Sequence, residues 1–396
     1  LVTKHKLQAF NPEYFTKDNK LFSYSDNYRL TAERYIAPRI KHQPLGMTDI
    51  KLQMPEISGI DINDLVSFFN NPAKYFLRSR LGIYLQDIDD TFETSEIFEL
   101  GPLDSTIIGG EIAEKIILHS SNSKDSFEAD EFMDRFYQLQ KASGRLPHGN
   151  SGKVSFREVF KNAAGFAETV LGQIISNEPA SRAIDINING TRIYGYIQPI
   201  YGNVYVSFRF AKLKAKDRLK FWINYLALNA STDETVDAKL VAKSDKKVCE
   251  VWRVKKDLET GGLGDGGKVE DRGTGGLGDR EKEEDMGKWR DRCREMLGEL
   301  VEIYKKGITE VIKFAPSTSW GYFEELIIKE KEKSQAIKRA QDEWNGFFRQ
   351  GGGMISGDRD ELNYNLCFGD CDIFDEEFED MALRIFGNVN KYMEEL

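Results

Sequence analysis

The spacing of hydrophobic positions changes along the chain. Between about residues 60 and 180, apolar side chains recur every three or four residues, as at Phe132 and Phe136, which predicts amphipathic helices. From residue 184 the spacing becomes two, with Ile184 and Ile186 on one face of a predicted strand. This change indicates that a helical part is followed by a β-sheet.

The strands continue as a hairpin. The segment TRIYGYIQPIYGNVYVSFRFA predicts two strands that turn at Gly202 and Asn203. The segment KLKAKDRLKFWINYLALNA returns to helical spacing through Leu219 and Trp222, and KKVCEVWRV predicts a further strand. This order predicts an α/β protein in which helices flank a mixed central sheet.

These patterns divide the chain into an N-terminal arm or linker at 1–55 and a larger domain at 56–396. Within that domain we expect a helical part at about 60–180, a sheet core at about 181–254, a flexible glycine-rich loop at about 255–285 and C-terminal helices at about 286–396. The loop repeats the hexapeptide TGGLGD, whose glycines and charges offer no apolar anchor to offset chain entropy.

Composition narrows the possible classes of protein. A formal net charge of −10 argues against a uniformly basic nucleic-acid-binding protein, so DNA contacts would come from a local patch or from partners. The four scattered cysteines favour reduced thiols in a cytoplasmic protein. No apolar run reaches the roughly 18 residues of a membrane-spanning helix, so we expect no membrane contact. Because the chain begins with Leu1, we expect it to be part of a longer polypeptide.

One basic helix is predicted with both of its ends. In FFNNPAKYFLRSRLGIYL, Asn71 before a proline is a favourable N-cap, and Gly82 is a favourable terminator. The apolar spacing leaves Lys74, Arg78 and Arg80 toward solvent or a partner. In the helix before it, Asn63 is the predicted cap.

A second basic segment lies at the predicted strand-to-helix junction. The run AKLKAKDRLK supplies five cations: Lys212, Lys214, Lys216, Arg218 and Lys220. Such a run is a solvated face in most proteins. It is also the best candidate in this sequence for contacts with DNA phosphates or with a partner.

Two other motifs are weak. The segment GGLGDGGKV has the spacing of a phosphate-binding loop, but Val269 stands where a magnesium-binding hydroxyl is needed. Cys367 and Cys371 in CFGDC lack the further cysteine or histidine ligands of a tetrahedral metal site. We therefore predict no metal in this chain.

The strand hairpin can be compared with metal-dependent nucleases of the PD-(D/E)xK type. Those enzymes place an aspartate at the end of one strand and an acidic-x-Lys triplet on the paired strand. Here GYIQ ends in Gln198, and SFR supplies Ser207 and Arg209. Both carboxylates are replaced, so these three positions are predicted to be degenerate and non-catalytic.

Several segments, taken in order, resemble the C-terminal domain of the RecC family, the gamma subunit of exodeoxyribonuclease V. They are LQAFNPEYF, LFSYSDNYRLTAERY, IDINDLVSFFNNPAKYFLRSRLGIYL, GRLPHG, YVSFRFAKLKAKDRLKFWINYLAL and MALRIFGNVNKYMEEL. The resemblance covers most of the chain except the TGGLGD loop. It implies a restriction-endonuclease-like (PD-(D/E)xK) core with a helical subdomain.

The resemblance also implies a function. The chain is expected to be a non-catalytic module of a RecBCD-like helicase–nuclease that repairs double-strand breaks by recombination. It would contribute to complex assembly and to DNA strand separation and channelling. The expected partners are RecB-like and RecD-like subunits and DNA. No cofactor is expected in this part, because ATP and Mg²⁺ would be used by the partner subunits.

Two other functions stay open on the sequence. One is an active metal-dependent DNA nuclease whose carboxylates, with Asp185 and Asp217 as candidates, lie in another register. The other is a protein-interaction module that makes no DNA contact.

Overall fold

The computed structural model describes residues 3–16, 20–37, 50–86, 97–122, 129–174, 178–244, 247, 249–256, 277–348 and 353–396. The chain divides into two compact units, Leu1–Gly46 and Met47–Leu396. The segment GGLGDGGKV lies outside the described residues.

The first unit contains a short 3-10 helix at Pro12–Phe15 and helix α1 at Asp26–Ile36. Tyr14 is its buried aromatic residue, and the Tyr14 hydroxyl accepts a hydrogen bond from the backbone N–H of Lys6 at 2.8 Å. Helix α1 was not predicted, because Ala32 is its one buried residue and its apolar spacing is correspondingly weak.

The second unit contains the remaining elements. Its helices are α2 Ile62–Asn70, α3 Pro72–Leu81, α4 Pro102–Asn122, α5 Ala129–Ala142, α6 Gly149–Leu171, α7 Ala215–Ser231, α8 Leu277–Gly307, α9 Pro316–Phe323, α10 Lys333–Asn345, α11 Leu362–Phe368 and α12 Glu376–Tyr392. Its strands are β1 Ile60–Asp61, β2 Pro179–Ile188, β3 Thr191–Tyr201, β4 Val204–Arg209, β5 Asp237–Lys243, β6 Cys249–Val254, β7 Phe347–Phe348, β8 Met354–Ile355 and β9 Met393–Glu395. A π-helical turn, Glu324–Ile328, follows α9, and a 3-10 turn, Asp358–Asp360, precedes α11.

Seven strands form the central sheet, in the order β1-β3-β4-β5-β6-β9 with β2 also paired to β3. The pairs β2–β3, β3–β4, β5–β6 and β6–β9 are antiparallel, whereas β1–β3 and β4–β5 are parallel. The β3–β4 hairpin pairs Tyr201 with Val204, which confirms the predicted turn at Gly202 and Asn203. Helix α7 makes the crossover between the parallel strands β4 and β5, as such a connection requires.

Each face of the sheet carries its own apolar core. One core joins the sheet to α2, α7, α8 and α12, with Trp222 and Leu240 among its buried residues. The other joins the opposite face to α4, α5 and α6, with Phe166 and Val206 among its members. The predicted α/β architecture, a mixed sheet between helical layers, is therefore confirmed.

A third core packs α3 against α9, α10, α11 and α12. The predicted ends of α3 are confirmed: the Asn71 side chain accepts from the backbone N–H of Lys74 at 2.8 Å, and Gly82 has a φ of 64°. The cap predicted for α2 was wrong. Asp61, not Asn63, precedes the first turn, and its carboxylate accepts from the Asn63 N–H at 2.7 Å.

Several boundaries differ from the predicted ones. Residues 50–55, predicted to be part of the arm, belong to the second unit, where Ile50 and Leu52 pack on the third core. Helix α8 begins at Leu277, inside the predicted glycine-rich loop. Strands β1 and β9 are two further short strands of the sheet. They contain two and three residues, which is too short for a hydrophobic pattern to predict them.

Among the described residues, no helix combines the length and the apolar character that crossing a bilayer requires.

Candidate functional site

Strand β4 presents its side chains alternately to the two cores. Tyr205 packs in the core on the α7 side, whereas Val204 and Val206 pack in the core on the α6 side. Because side chains alternate along a strand, Ser207 and Arg209 lie on the same face as Tyr205. The structure therefore brings two of the three predicted degenerate residues together, next to α7.

Arg209 is held by an ion pair on this face. Its Nη1 atom donates to Asp217 Oδ1 at 2.8 Å, and the two side chains are only 31% and 22% exposed. The other Asp217 oxygen accepts from the backbone N–H of Lys214 at 2.9 Å, so the same carboxylate caps the first turn of α7. The guanidinium of Arg209, paired with the Asp217 carboxylate, thus occupies this end of β4.

Ser207 belongs to a chain of uncharged polar groups. Asn224 Nδ2 donates to the Tyr205 hydroxyl at 2.9 Å, in the buried layer between β4 and α7. Burial raises the pKa of Tyr205, while its hydrogen bonds with Asn224 and Ser207 act in the opposite direction. The residues beside Arg209 therefore form a neutral hydrogen-bonded chain.

Gln198 lies where the regular alternation of β3 fails. Ile197 and Ile200 both pack in the core on the α7 side, although simple alternation would place them on opposite faces. The pairing of β2 with β3 shifts register between Ala180 and Arg182 to accommodate this. Gln198 is exposed, and the β3–β4 pairs begin only at Ile200. Among the described residues, no hydrogen bond or ion pair joins Gln198 to Ser207 or Arg209.

The carboxylates of the alternative nuclease site are each engaged by a different arginine. Asp185 on β2 receives two 2.8 Å hydrogen bonds from Arg192, which lower the pKa of Asp185. Asp217 is held by Arg209. In the described part of the chain, no group of three or more His, Cys, Asp or Glu side chains is arranged to hold a metal ion.

The basic run at the β4–α7 junction divides into two parts. Four lysines are exposed, and they are Lys212, Lys214, Lys216 and Lys220. Arg218 is the exception to the predicted exposed face: its guanidinium lies 4.2 Å from the ring centre of Trp252 and 4.8 Å from that of Trp320. Burial lowers the pKa of Arg218 to about 10, and nearby carboxylates, Glu250 first, oppose that change.

The basic residues of α3 also differ among themselves. Arg78 is exposed, with its guanidinium 5.6 Å from the Tyr84 ring centre, and Lys74 is half-buried. Arg80 donates to the backbone carbonyls of Ile308 and Gln53, each at 2.8 Å. Arg80 therefore ties α3 to the end of α8, which corrects its predicted orientation toward solvent or a partner.

Sequence reasoning missed the two tryptophans that enclose Arg218. Trp252 lies on β6 and Trp320 on α9, far from each other and from Arg218 along the chain. A signal was present in the helical spacing of α7, since Arg218 is followed by the buried residues Leu219 and Trp222 on one stripe. The helical spacing of α7 alone does not show which aromatic residues contact Arg218.

Comparisons with known proteins agree on one family. A family model described as the RecC C-terminal domain matches residues 58–327. The chain is 26% identical to the RecBCD enzyme subunit RecC of Haemophilus influenzae over 269 residues, which are 65% of this chain and 22% of that protein. It is 26% identical to the same subunit of Buchnera aphidicola over 227 residues, 57% of this chain and 19% of that protein.

A more distant relative is the RecBCD enzyme subunit RecC of Escherichia coli, 23% identical over 190 residues, 48% of this chain and 15% of that protein. The chain thus spans about a fifth of the length of the first of these curated relatives, with 22% of the Haemophilus influenzae protein covered. The matched segment includes every strand from β1 to β6 and the whole β4–α7 junction. The chain belongs to the RecC C-terminal domain family.

Proposed function

We propose that the chain is a non-catalytic module of a RecC-type subunit. In this proposal it contributes to assembling a RecBCD-like helicase–nuclease and to separating and channelling DNA strands during double-strand break repair. The observation that carries the proposal is the Arg209–Asp217 pair on the α7 face of the sheet, in a chain of the RecC C-terminal domain family. In this proposal, Arg209 occupies the position that a PD-(D/E)xK nuclease would use for metal chemistry, and its pairing with Asp217 supports a loss of that chemistry.

The proposed core is of the restriction-endonuclease-like, PD-(D/E)xK type. We assign Gln198 to the position of the strand-end aspartate, and Ser207 and Arg209 to the acidic-x-Lys triplet. Divalent cations such as Mg²⁺ are held by carboxylates and other oxygen ligands. An amide, a hydroxyl and a guanidinium supply no negative charge, and Asp217 is already paired with Arg209. These residues do not fit a catalytic metal, so no step is assigned to them.

The first test is a nuclease assay. Linear DNA incubated with the purified chain and either Mg²⁺ or Mn²⁺ is expected to stay intact, because the described residues contain no group of three or more His, Cys, Asp or Glu side chains arranged to hold a metal ion. Gel analysis of end-labelled DNA measures the result, and calorimetric titration with Mn²⁺ is expected to give no tight site.

The matched variants for this test are Asp185→Asn and Asp217→Asn. Metal-dependent cleavage that either substitution removes would overturn the proposal in favour of an active nuclease. Cleavage that both variants retain would indicate a contaminating enzyme, which a further purification step should remove.

The second part of the proposal is direct contact with DNA through the junction lysines. Replacing Lys212, Lys214 and Lys216 with glutamine is expected to weaken binding of forked DNA. The dependence of log K on log salt concentration should also become shallower by about three, since each phosphate contact contributes roughly one. Fluorescence anisotropy over a salt series measures both effects.

The control for the DNA test removes the same charge elsewhere. Lys115, Lys141 and Lys338 are exposed on α4, α5 and α10, and their triple glutamine variant is expected to bind like the wild type. Equal losses in both triple variants would mean that only the net charge matters. No binding by the wild type at low salt would favour a module that contacts proteins alone.

We assign RecB-like and RecD-like subunits as the protein partners of this module, in the cytoplasm. ATP and Mg²⁺ are assigned to those partner subunits. Co-purification of the chain with each subunit, expressed together and singly, tests which of them it holds.

A further inference from the structure

Strands β5 and β6 place two cations directly opposite each other. Lys239 on β5 and Arg253 on β6 are partners in this antiparallel pair. Lys239 lies two residues before Val241, which packs in the core on the α6 side, so it points to that face of the sheet. The neighbour of Lys239 on β4 is Val206, which carries no charge.

A like-charge pair in this position destabilises a sheet. Side chains directly opposite on neighbouring antiparallel strands have Cβ atoms about 4.5–5.5 Å apart, and like charges in such a cross-strand pair are destabilising. Arg253 is compensated by Glu394 of β9, whose Oε1 atom lies 2.6 Å from its Nε atom. Lys239 forms no ion pair within the part of the chain that the structure describes. A local electrostatic cost without a structural partner is typical of a binding position.

The pair forms part of a basic cleft. The cleft has a volume of about 360 Å³, and its charged lining residues are Asp237, Lys239, Arg253, Lys255 and Lys256. Lys256 is held by Asp237 at 2.8 Å, whereas Lys255 is exposed and forms no ion pair in the described ranges. Four cations face two carboxylates, Asp237 and Glu394, which leaves a local positive charge on a chain whose net charge is −10.

This cleft is distinct from the lysines of the β4–α7 junction. Those lysines follow the carboxyl end of β4, whereas Lys239 pairs with Val206 near the amino end of the same strand. Val206 and Arg209, the last residue of β4, are three residues apart, which is roughly 10 Å at a rise of about 3.3 Å per residue. The two basic positions are therefore separated along the parallel pair β4–β5.

We propose that the β5–β6 cleft binds the phosphodiester backbone of nucleic acid, with Lys239 and Lys255 as the contacting cations. The inference rests on the proposed function and adds a second phosphate contact to it. The phosphate oxygens would neutralise the positive charge of Lys239, which pairs with no carboxylate in the described part of the chain. A polymer fits better than a single anion, because Lys255 continues the row of cations along β6 beyond the Lys239–Arg253 pair.

The experiment compares three variants of the full chain with the wild type. They are Lys239→Gln/Lys255→Gln in the cleft, Lys115→Gln/Lys338→Gln as a control of equal charge, and the junction variant Lys212→Gln/Lys214→Gln/Lys216→Gln. Binding of fluorescently labelled forked DNA is measured between about 50 and 200 mM salt. The cleft variant is expected to bind roughly tenfold more weakly at low salt, with a salt slope shallower by about two, while the control keeps wild-type values.

A second measurement uses the protein without DNA. Replacing Lys239 alone with glutamine is expected to raise the unfolding midpoint by about 1–2 °C, because the repulsion with Arg253 is removed. A lowered midpoint would show that Lys239 stabilises the fold, and the proposal would then be wrong.

The remaining outcomes separate the two proposals. If the junction variant loses affinity while the cleft variant binds as the wild type does, the cleft inference is wrong and the proposed function stands. If the wild type binds no DNA, the DNA contact in both is wrong. If inorganic phosphate or poly-glutamate, rather than DNA, is the ligand whose binding depends on Lys239 and Lys255, the nucleic-acid assignment is overturned.

Discussion

Replacing Arg218 with alanine is expected to lower the free energy of unfolding by about 3 kcal/mol, measured by urea denaturation. The guanidinium lies between the rings of Trp252 and Trp320, at 4.2 and 4.8 Å from their centres. A desolvated cation–π contact stabilises by up to about 2 kcal/mol, and the buried stem of the side chain adds apolar packing. Alanine removes both and leaves a gap between two rings.

The matched variant for this prediction is Arg218→Lys. Lysine keeps the charge but lacks the flat group that can lie against two rings at once, so we expect an intermediate loss of about 1–2 kcal/mol. Lys216→Ala, on the exposed face of the same helix, is expected to change the free energy of unfolding by less than about 0.5 kcal/mol. If Arg218→Ala and Lys216→Ala had the same effect, the stacking would not stabilise the fold.

The position of Arg218 has a consequence for the candidate site. It joins β6, α7 and α9 at one point, and α7 also supplies Asp217, the partner of Arg209. A loss of stacking should therefore loosen the first turn of α7 and the junction lysines with it. Arg218→Ala should therefore weaken DNA binding more than the loss of a single positive charge would.

The elements that the sequence predicted well are those whose ends are encoded locally. Asn71 and Gly82 define the ends of α3 because an N-cap amide and a left-handed glycine need no distant partner. Gly202 and Asn203 define the β3–β4 turn in the same way. Strands β1 and β9 are too short for a pattern, and only their pairing with β3 and β6 makes them strands.

The candidate site was likewise predictable only where local spacing along the chain determines it. Alternation along β4 is sufficient to place Ser207 and Arg209 on one face, because a strand repeats every two residues. It could not place Gln198, since the register shift opposite Ile197 and Ile200 depends on the pairing with β2. Nor could it separate Arg218 from the neighbouring lysines, because its two aromatic contacts come from distant elements.

The basic cleft is a feature that the sequence alone could not predict. In the sequence, Lys239 and Arg253 are two ordinary cations in two short strands. Their opposition exists only in the register of β5 against β6, which a single sequence does not specify. The junction lysines form a single run in the sequence, whereas the cations of the cleft are separated along the chain.

The core around Phe68 gives the last prediction. Phe68 is fully buried. Its ring centre lies 5.1 Å from the ring centres of Phe69 and Tyr304 and 5.7 Å from that of Tyr75. A methyl group added at Gly307 would come within 2.2 Å of the Phe68 ring. The ring cannot move aside, because aromatic neighbours enclose it, so Gly307→Ala is expected to lower the free energy of unfolding by about 2 kcal/mol.

Phe68→Ala is expected to lower the free energy of unfolding by about 4 kcal/mol, because it leaves a cavity where α2 meets the end of α8. The double variant Phe68→Ala/Gly307→Ala should lose about 1–2 kcal/mol less than the two single losses together, since the new methyl group then occupies space that the ring has left. Urea denaturation of the three variants and the wild type measures this coupling. Strict additivity would show that Phe68 and Gly307 are not in contact, and the packing of α2 on α8 would then be wrong.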